Sequence, residues 1–267
     1  MRFAAVGDNC IDRYLPPVNR AFAGGNAVNV AVHLKRLGHD VDYLGAIGKD
    51  ADGATISACL KEQGLELVGL RVVTGGTTAY TEIVTTENGE RSYHFEEFGA
   101  MATYRPDATD VARLLRMDHV HIGWLADGGH LKRQLAAGGV SVSQDLSVNN
   151  RPENLSPAGL SIAFASAPEV AAEAQLRAVL EAGAKLGVIT MGAAGSLASN
   201  GVLTARAGAE AVTPVDTTGA GDSFIAGFLN AYFSRKSLRK CLEAGAGQGR
   251  LACLHHGGFP QSRQHLG

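Results

Sequence analysis

The chain is poor in cysteine, in tryptophan and in charge of either sign, and each shortage closes off a class of protein. Four cysteines, Cys10, Cys59, Cys241 and Cys253, lie far apart among 267 residues without a Cys-x-x-Cys pair. That spacing argues against a disulfide framework and suits a reducing cytoplasm. Lysine and arginine total 24 against 26 aspartates and glutamates, for a net charge of −2. This balance leaves no basic footprint for nucleic acid or for an acidic membrane. No basic segment followed by a long apolar stretch opens the chain, so no signal peptide is expected. Leu186 to Ala205 is twenty residues without a charge, long enough to cross a bilayer. Its four glycines, with Thr190, Ser196, Ser199 and Asn200, instead predict strand, turn and strand. A G-x-x-x-x-G-K-[ST] phosphate loop is also missing, and Phe224 stands where a dinucleotide fingerprint after Gly219 and Gly221 needs its third glycine.

With 45% hydrophobic and 19% charged residues, the composition is that of a folded α/β protein. Glycine is abundant, 34 of 267 residues, against about 7% in an average protein. Many of these glycines fall where an apolar run ends and a helical pattern begins. Phe3 to Val6 reads as a first strand and Val41 to Ile47 as a second. Between them Ala27, Val30, Ala31, Leu34 and Leu37 share one face of a helix that starts at Asn26 and stops at Gly38. The spacing predicts further helices over Ala54 to Gln63, Pro168 to Ala182 and Ser237 to Leu254. Strands are predicted over Val140 to Gln144, Leu160 to Ala165 and Leu186 to Thr190. Such alternation implies a mostly parallel sheet covered by helices on both faces.

One region departs from that rhythm. Tyr80, Glu82, Val84 and Thr86 alternate, Asn88-Gly89 marks a tight turn, and Ser92 to Phe95 resume the extended pattern. With residues 11–23, the stretch 77–98 is expected to form a small β lid. Residues 1–10, 24–76 and 99–257 then make the main domain, and 258–267 a loosely ordered tail. Open strand edges on such a lid predict a homodimer in which two lids pair.

The most informative stretch is Asp216-Thr-Thr-Gly-Ala-Gly-Asp-Ser-Phe-Ile-Ala-Gly-Phe228. Ala211 to Val215 reads as a strand, Gly219-Ala220-Gly221 as a turn, and the apolar run from Phe224 as a helix. The amides of Gly219, Ala220 and Gly221 would point unpaired from the positive end of that helix and suit an anion, most often a phosphate. Asp222 beside them suits the removal of a proton from a hydroxyl that attacks the phosphate.

That segment is similar to the D-T-x-G-A-G-D-x-F-x-x-G-F signature of the ribokinase-like, or PfkB, carbohydrate kinases. Gly24-Gly-Asn-Ala-Val-Asn-Val-Ala31 resembles the same family's N-terminal glycine signature, and Gly45-Ala-Ile-Gly48 with Lys49, Asp50 and Gly53 another recurrent segment. The resemblance implies a ribokinase-like α/β fold: a mostly parallel sheet of Rossmann-like topology, sandwiched by helices, with a small β-strand lid. It implies Asp222 as catalytic base and Gly219, Ala220 and Gly221 as the anion hole. Gly24, Gly25, Asn26 and Asp12 would hold the sugar, although Asp12 also reads as a surface turn aspartate. Thr190, Gly192 and Gly195 match the nucleotide-side loop, with Thr217 beside it, and ATP with Mg²⁺ is the implied cofactor. The metal motif N-x-x-E appears as Ser166-Ala-Pro-Glu169, which keeps Glu169 and loses the asparagine. Of D-P-N-x-R only Asp145 matches. A monovalent-cation requirement stays open.

Within the family, Gly7 to Tyr14 and Ala21 to Ala31 resemble the fructoselysine 6-kinases of bacteria, as does Phe164 to Pro168. This implies phosphorylation of a fructosamine at its primary hydroxyl, with Glu82, Glu96 and Glu97 of the lid available to its ammonium group. A ketohexose, a 2-keto-3-deoxy acid or a nucleoside is the alternative acceptor, and a catalytically silent sugar-binding regulator the non-enzymatic alternative. His119-Val-His121 has metal-like spacing but lacks a third ligand. His255-His256 sits where the family contacts adenine or merely ends a helix, and Trp124 reads as a stacking platform or as core.

Overall fold

A computed structural model describes residues 1–85, 91–149, 151–261 and 264–265. The Asn88-Gly89 turn predicted for the lid lies outside the described residues. In chain order the first half holds β1 (Arg2–Val6), β2 (Cys10–Tyr14), β3 (Arg20–Gly24), α1 (Asn26–Arg36), β4 (Asp40–Gly48), α2 (Ala51–Glu62), β5 (Leu70–Val73), β6 (Tyr80–Thr85), β7 (Arg91–Glu97), α3 (Ala108–Leu114) and β8 (His119–Ile122). The second half holds α4 (His130–Ala137), β9 (Ser141–Asp145), β10 (Ile162–Ser166), α5 (Glu169–Glu181), β11 (Gly187–Thr190), β12 (Ser196–Ser199), β13 (Thr204–Ala207), α6 (Ala220–Phe233), α7 (Leu238–Ala252) and β14 (Gln264–His265).

Nine strands form one sheet in the order β13-β12-β11-β10-β9-β8-β1-β4-β5. Its seven strands from β11 to β5 run parallel, and β12 and β13 are antiparallel at one edge. Central β1 shows why the predicted strands are continuous apolar runs. Phe3 and Ala5 enter a core under α1, α6 and α7, while Ala4 and Val6 enter the core on the opposite face with Leu114, Val120 and Leu131. A strand buried on both sides has no polar face to display. Helix α6 is buried along most of its length, from Ser223 to Leu229 and at Ala231. It lies between α1 and α7.

The second sheet has the order β14-β3-β2-β6-β7, with β2 and β6 parallel. Gln264 and His265 pair with Ala21 and Arg20 of β3. Within the stretch expected as a tail, these two residues supply an edge strand to the small sheet. A correction falls on Ala211 to Val215, which forms no strand. Pro214 lacks an amide hydrogen for a ladder, and the amide of Val215 donates to the carbonyl of Cys253 at 2.8 Å.

Candidate active site

The parallel strands deliver their C-terminal ends to one crevice, as is usual in open α/β sheets. Asp8 follows β1, Asp145 ends β9, Ser166 ends β10 and Thr190 ends β11, with α1 and α6 starting opposite them. The crevice has two halves around Asp222.

The first half is a polar cluster. Asn26 Nδ2 donates to Asp222 Oδ1 at 2.6 Å, and Asn29 Nδ2 donates to Asp222 Oδ2 at 2.6 Å. Both oxygens of the expected base are therefore aimed by asparagines one helical turn apart on α1. Asn26 Nδ2 also donates to Asp145 Oδ2 at 3.2 Å. Burial pushes the Asp145 carboxyl up to about 7, and the negative charge of Asp222 pushes the same way. A carboxyl raised in this way, sharing an amide with the expected base, suits a neutral acid beside it.

Asp8 carries no expectation from the sequence, yet it organises this half. Its carboxylate accepts from the amides of Asn26 at 2.6 Å and Trp124 at 2.8 Å, capping α1 from outside the helix. Burial raises its carboxyl despite these donors. The residue that follows a buried central strand at a strand-order reversal was the available clue. Asn29 was missed as well, although its position three residues after Asn26 places both on one helix face.

Asp12 is buried on β2, not on a surface turn, and receives the thiol hydrogen of Cys10 at 3.3 Å. A Cβ on Gly24 would lie 2.3 Å from Asp12 Oδ2, and one on Gly25, whose φ is +109°, would strike the Asp8 and Asn9 backbone. The glycine pair thus lets strand β3 pass against two carboxylate-bearing segments. Gly24→Ala is expected to cost about 1–3 kcal/mol of stability by overpacking. Denaturant unfolding checks it.

The second half is a cleft of ≈ 800 Å³. It gathers Thr190, Gly192, Gly195 and Thr217 with Ala220 and Gly221. A Cβ on Gly221 would meet nothing within 4 Å, so the start of α6 is open to a ligand. Gly219 has φ +73° and its Cβ would lie 2.5 Å from Gly258 Cα, which restricts the position to glycine. The expected anion hole needs one amendment. The amide of Ala220 turns back to the carbonyl of Thr217 at 3.2 Å, so three outward amides are not all available.

Asp216, buried one turn before α6, accepts from Tyr14 Oη at 2.5 Å, Thr218 N at 2.9 Å, Thr218 Oγ1 at 2.8 Å and Gly257 N at 2.9 Å. Burial opposes its ionisation, but these donors outweigh burial and hold the carboxyl below its ordinary value. They tie β2 of the small sheet to the loop that carries Gly219.

Several expected residues lie elsewhere. Glu169, at the start of α5, pairs with Arg206 on the exposed surface and is not among the residues lining the cleft. Among the described residues no three His, Cys, Asp or Glu side chains are grouped to hold a metal. His256 stacks on Phe22 instead of lining the cleft, where Arg250 of α7 and Cys253 at its C-cap stand. Trp124 is buried and stacked on Phe98 with ring centroids 4.3 Å apart. In the lid, Glu97 accepts from the amide of Gly99 at 3.0 Å. The Glu96 carboxyl is raised by partial burial and then by the charge of Asp8.

The model of the pfkB family carbohydrate kinases matches residues 15–263. The chain belongs to this family. A fructoselysine 6-kinase of Shigella flexneri is 34% identical over 96% of this chain and 98% of its own length. A fructosamine kinase of Bacillus subtilis is 30% identical over 97% of this chain and 93% of its own. Among solved structures, Arabidopsis thaliana ribokinase complexed with ribose and ATP superposes with a TM-score of 0.85 at 22% identity, covering 96% of this chain and 93% of that one. The pfkB assignment makes the protein a sugar kinase, and the ribokinase-like fold agrees with the sheet order described above.

Proposed function

We propose that this kinase transfers the γ-phosphate of ATP to the primary hydroxyl of a fructosamine such as fructoselysine, giving the 6-phosphate. The observation that carries the chemistry is the Asp222 carboxylate, held by Asn26 and Asn29 at the first turn of α6 beside the open face of Gly221. The acceptor hydroxyl sits against Asp222, which takes its proton as the oxygen attacks phosphorus in line. The start of α6 faces the transferred phosphate and favours its negative charge. The ≈ 800 Å³ cleft is within the size range of ligand sites and is lined largely by small residues and backbone, which suits adenosine. Among the described residues no group of His, Cys, Asp or Glu side chains could by itself hold Mg²⁺; an ion bound together with the nucleotide's phosphates would supply charge neutralisation there. The small sheet closes over the sugar and excludes water that would hydrolyse ATP.

The acceptor assignment rests on two relatives that phosphorylate such sugars by name, and on the Glu96 carboxyl, which the lid brings within electrostatic reach of Asp8. An ammonium group between them relieves two raised carboxyls at once. ADP release measured with fructoselysine, fructose, ribose, 2-keto-3-deoxygluconate and adenosine decides the matter. Fructoselysine should give the highest kcat/KM by at least about tenfold, which is 1.4 kcal/mol of discrimination. Equal rates with fructose would reject the assignment.

Strand β7 is the outer strand of the small sheet and carries Phe95, 46% exposed. An open edge of this kind favours pairing with a second copy. A dimer is expected by light scattering, and a monomer at micromolar concentration would refute it. All four cysteines are free thiols, which fits the cytoplasm, and no described helix is long and apolar enough to cross a membrane.

A further inference from the structure

The His119-Val-His121 strand finds a use other than metal binding. Both rings are fully buried. His119 Nδ1 lies 2.9 Å from Ser141 Oγ, and its Nε2 lies 2.8 Å from Ser143 Oγ. The same Ser143 Oγ lies 2.9 Å from His121 Nδ1, and His121 Nε2 lies 3.1 Å from Asn26 Oδ1. Asn26 then reaches Asp222 and Asp145 through its Nδ2. The polar chain runs without a break from Ser141 at the start of β9 to the base.

Its hydrogens can be placed by elimination. An ionised Asp222 only accepts, so Asn26 presents its NH₂ there and its carbonyl oxygen to His121. His121 must therefore carry its hydrogen on Nε2 and accept on Nδ1 from the Ser143 hydroxyl. Ser143 Oγ, having donated, accepts from His119 Nε2–H, and His119 Nδ1 accepts from the Ser141 hydroxyl. Burial lowers both imidazoles to about 3, so neither takes a second proton that would reverse the chain.

We infer that His121 is a positioning residue for phosphoryl transfer: through Nε2–H it locks the Asn26 amide so that NH₂, not oxygen, faces Asp222. A flipped amide would set NH₂ against the N–H of His121 and a carbonyl oxygen against the ionised base. Both contacts are repulsive and buried, so the relay makes the flip costly. The groups packed around Asp222 are Asn26 and Asn29 from α1 and Asp145 from β9, with His121 of β8 and Asp8 behind Asn26. The inference rests on Asp222 being the base.

Two measurements test it. In ¹⁵N-histidine NMR, the signals lost in His121→Phe should show the Nε2–H tautomer and stay unprotonated at pH 5.5. A protonated ring or the Nδ1–H tautomer would overturn the inference without any reference to activity. In kinetics, His121→Phe should lower kcat about 10- to 100-fold with KM for ATP within about twofold, the scale of one lost buried hydrogen bond. The acidic limb of its kcat profile should move to higher pH, because an unlocked amide can turn its oxygen to Asp222. His121→Gln, which can still donate to Asn26, should recover most of the rate. Ser143→Ala, a smaller change that removes the donor to Nδ1, should move the limb in the same direction by less, and serves if the phenylalanine variant fails to fold. Equal rates in His121→Phe and His121→Gln with an unmoved limb would sink the positioning role. If Asp222→Asn turned over normally, the base reading itself would fall and the relay would lose its purpose. Loss of turnover in Asp222→Asn beside normal kinetics in His121→Phe would remove the relay alone.

Discussion

Asp222→Asn should bind ATP and sugar with KM values within a few-fold of wild type and lose about 10²–10⁴ in kcat, the usual scale of general-base help. The substitution exchanges one acceptor oxygen for an NH₂ group that would face the amide of Asn26 or Asn29. Asn29 can absorb that change. Its Oδ1 is buried with no hydrogen-bond partner among the described residues, so rotating the amide turns that oxygen toward the new donor and gives up little. The fold and the α6 terminus are then preserved while the proton acceptor is gone. Selective loss of kcat would separate proton transfer from binding, since an interaction used only in the transition state lowers kcat and kcat/KM together. Wild-type turnover in this variant would reject the mechanism.

What the sequence made legible follows from the range of the forces involved. The central strands were readable because burial on both faces writes an uninterrupted apolar run, and α1 and α6 because glycine and the 3.6-residue spacing mark their starts. Asp222, Asn26, Thr190, Gly192, Gly195, Thr217 and Gly221 lie in a motif or at a strand end, and the structure brings them around one crevice. Asn29 did carry a local signal, three residues after Asn26 on the same helix face, that was not used. Asp8 escaped because its one clue, a place after a central strand, needs the strand order, and nothing local distinguishes a buried carboxylate that caps a distant helix from a turn residue. The same limit concealed the coupling of Tyr14 to Asp216, which spans most of the chain. Glu169 follows β10 as its motif implied, and here its carboxylate is paired with Arg206. The strand read into Ala211 to Val215 failed because valine content says nothing about whether a sheet edge is available to pair with it.

The burial of Asp145 beside Asp222 has a thermodynamic consequence in the absence of any ligand. Asp145 has an ordinary value of 3.8 and is pushed to about 7 in the fold, first by burial and then by the charge of Asp222. Between those values the folded chain holds a proton that the unfolded chain has released. Stability attributable to this site is therefore complete below about pH 4 and falls as pH rises through 7, after which it is flat. A shift of this size corresponds to roughly 2–4 kcal/mol, the lower figure if the two carboxyls share the titration. Asp145→Asn removes the slope. An asparagine keeps one accepting oxygen, for Asn26 Nδ2 or for the amide of Ser147, and no charge remains to be desolvated. Wild type and variant should unfold at similar denaturant concentrations at pH 4, and the variant should be more stable by that amount at pH 8. Taking the difference between the two proteins cancels the raised carboxyls of Asp8 and Glu96 and the lowered one of Asp216. Parallel stability curves would mean that Asp145 is ionised throughout. The active site would then carry two full negative charges that share the Asn26 amide, and the division between base and neutral acid would be lost.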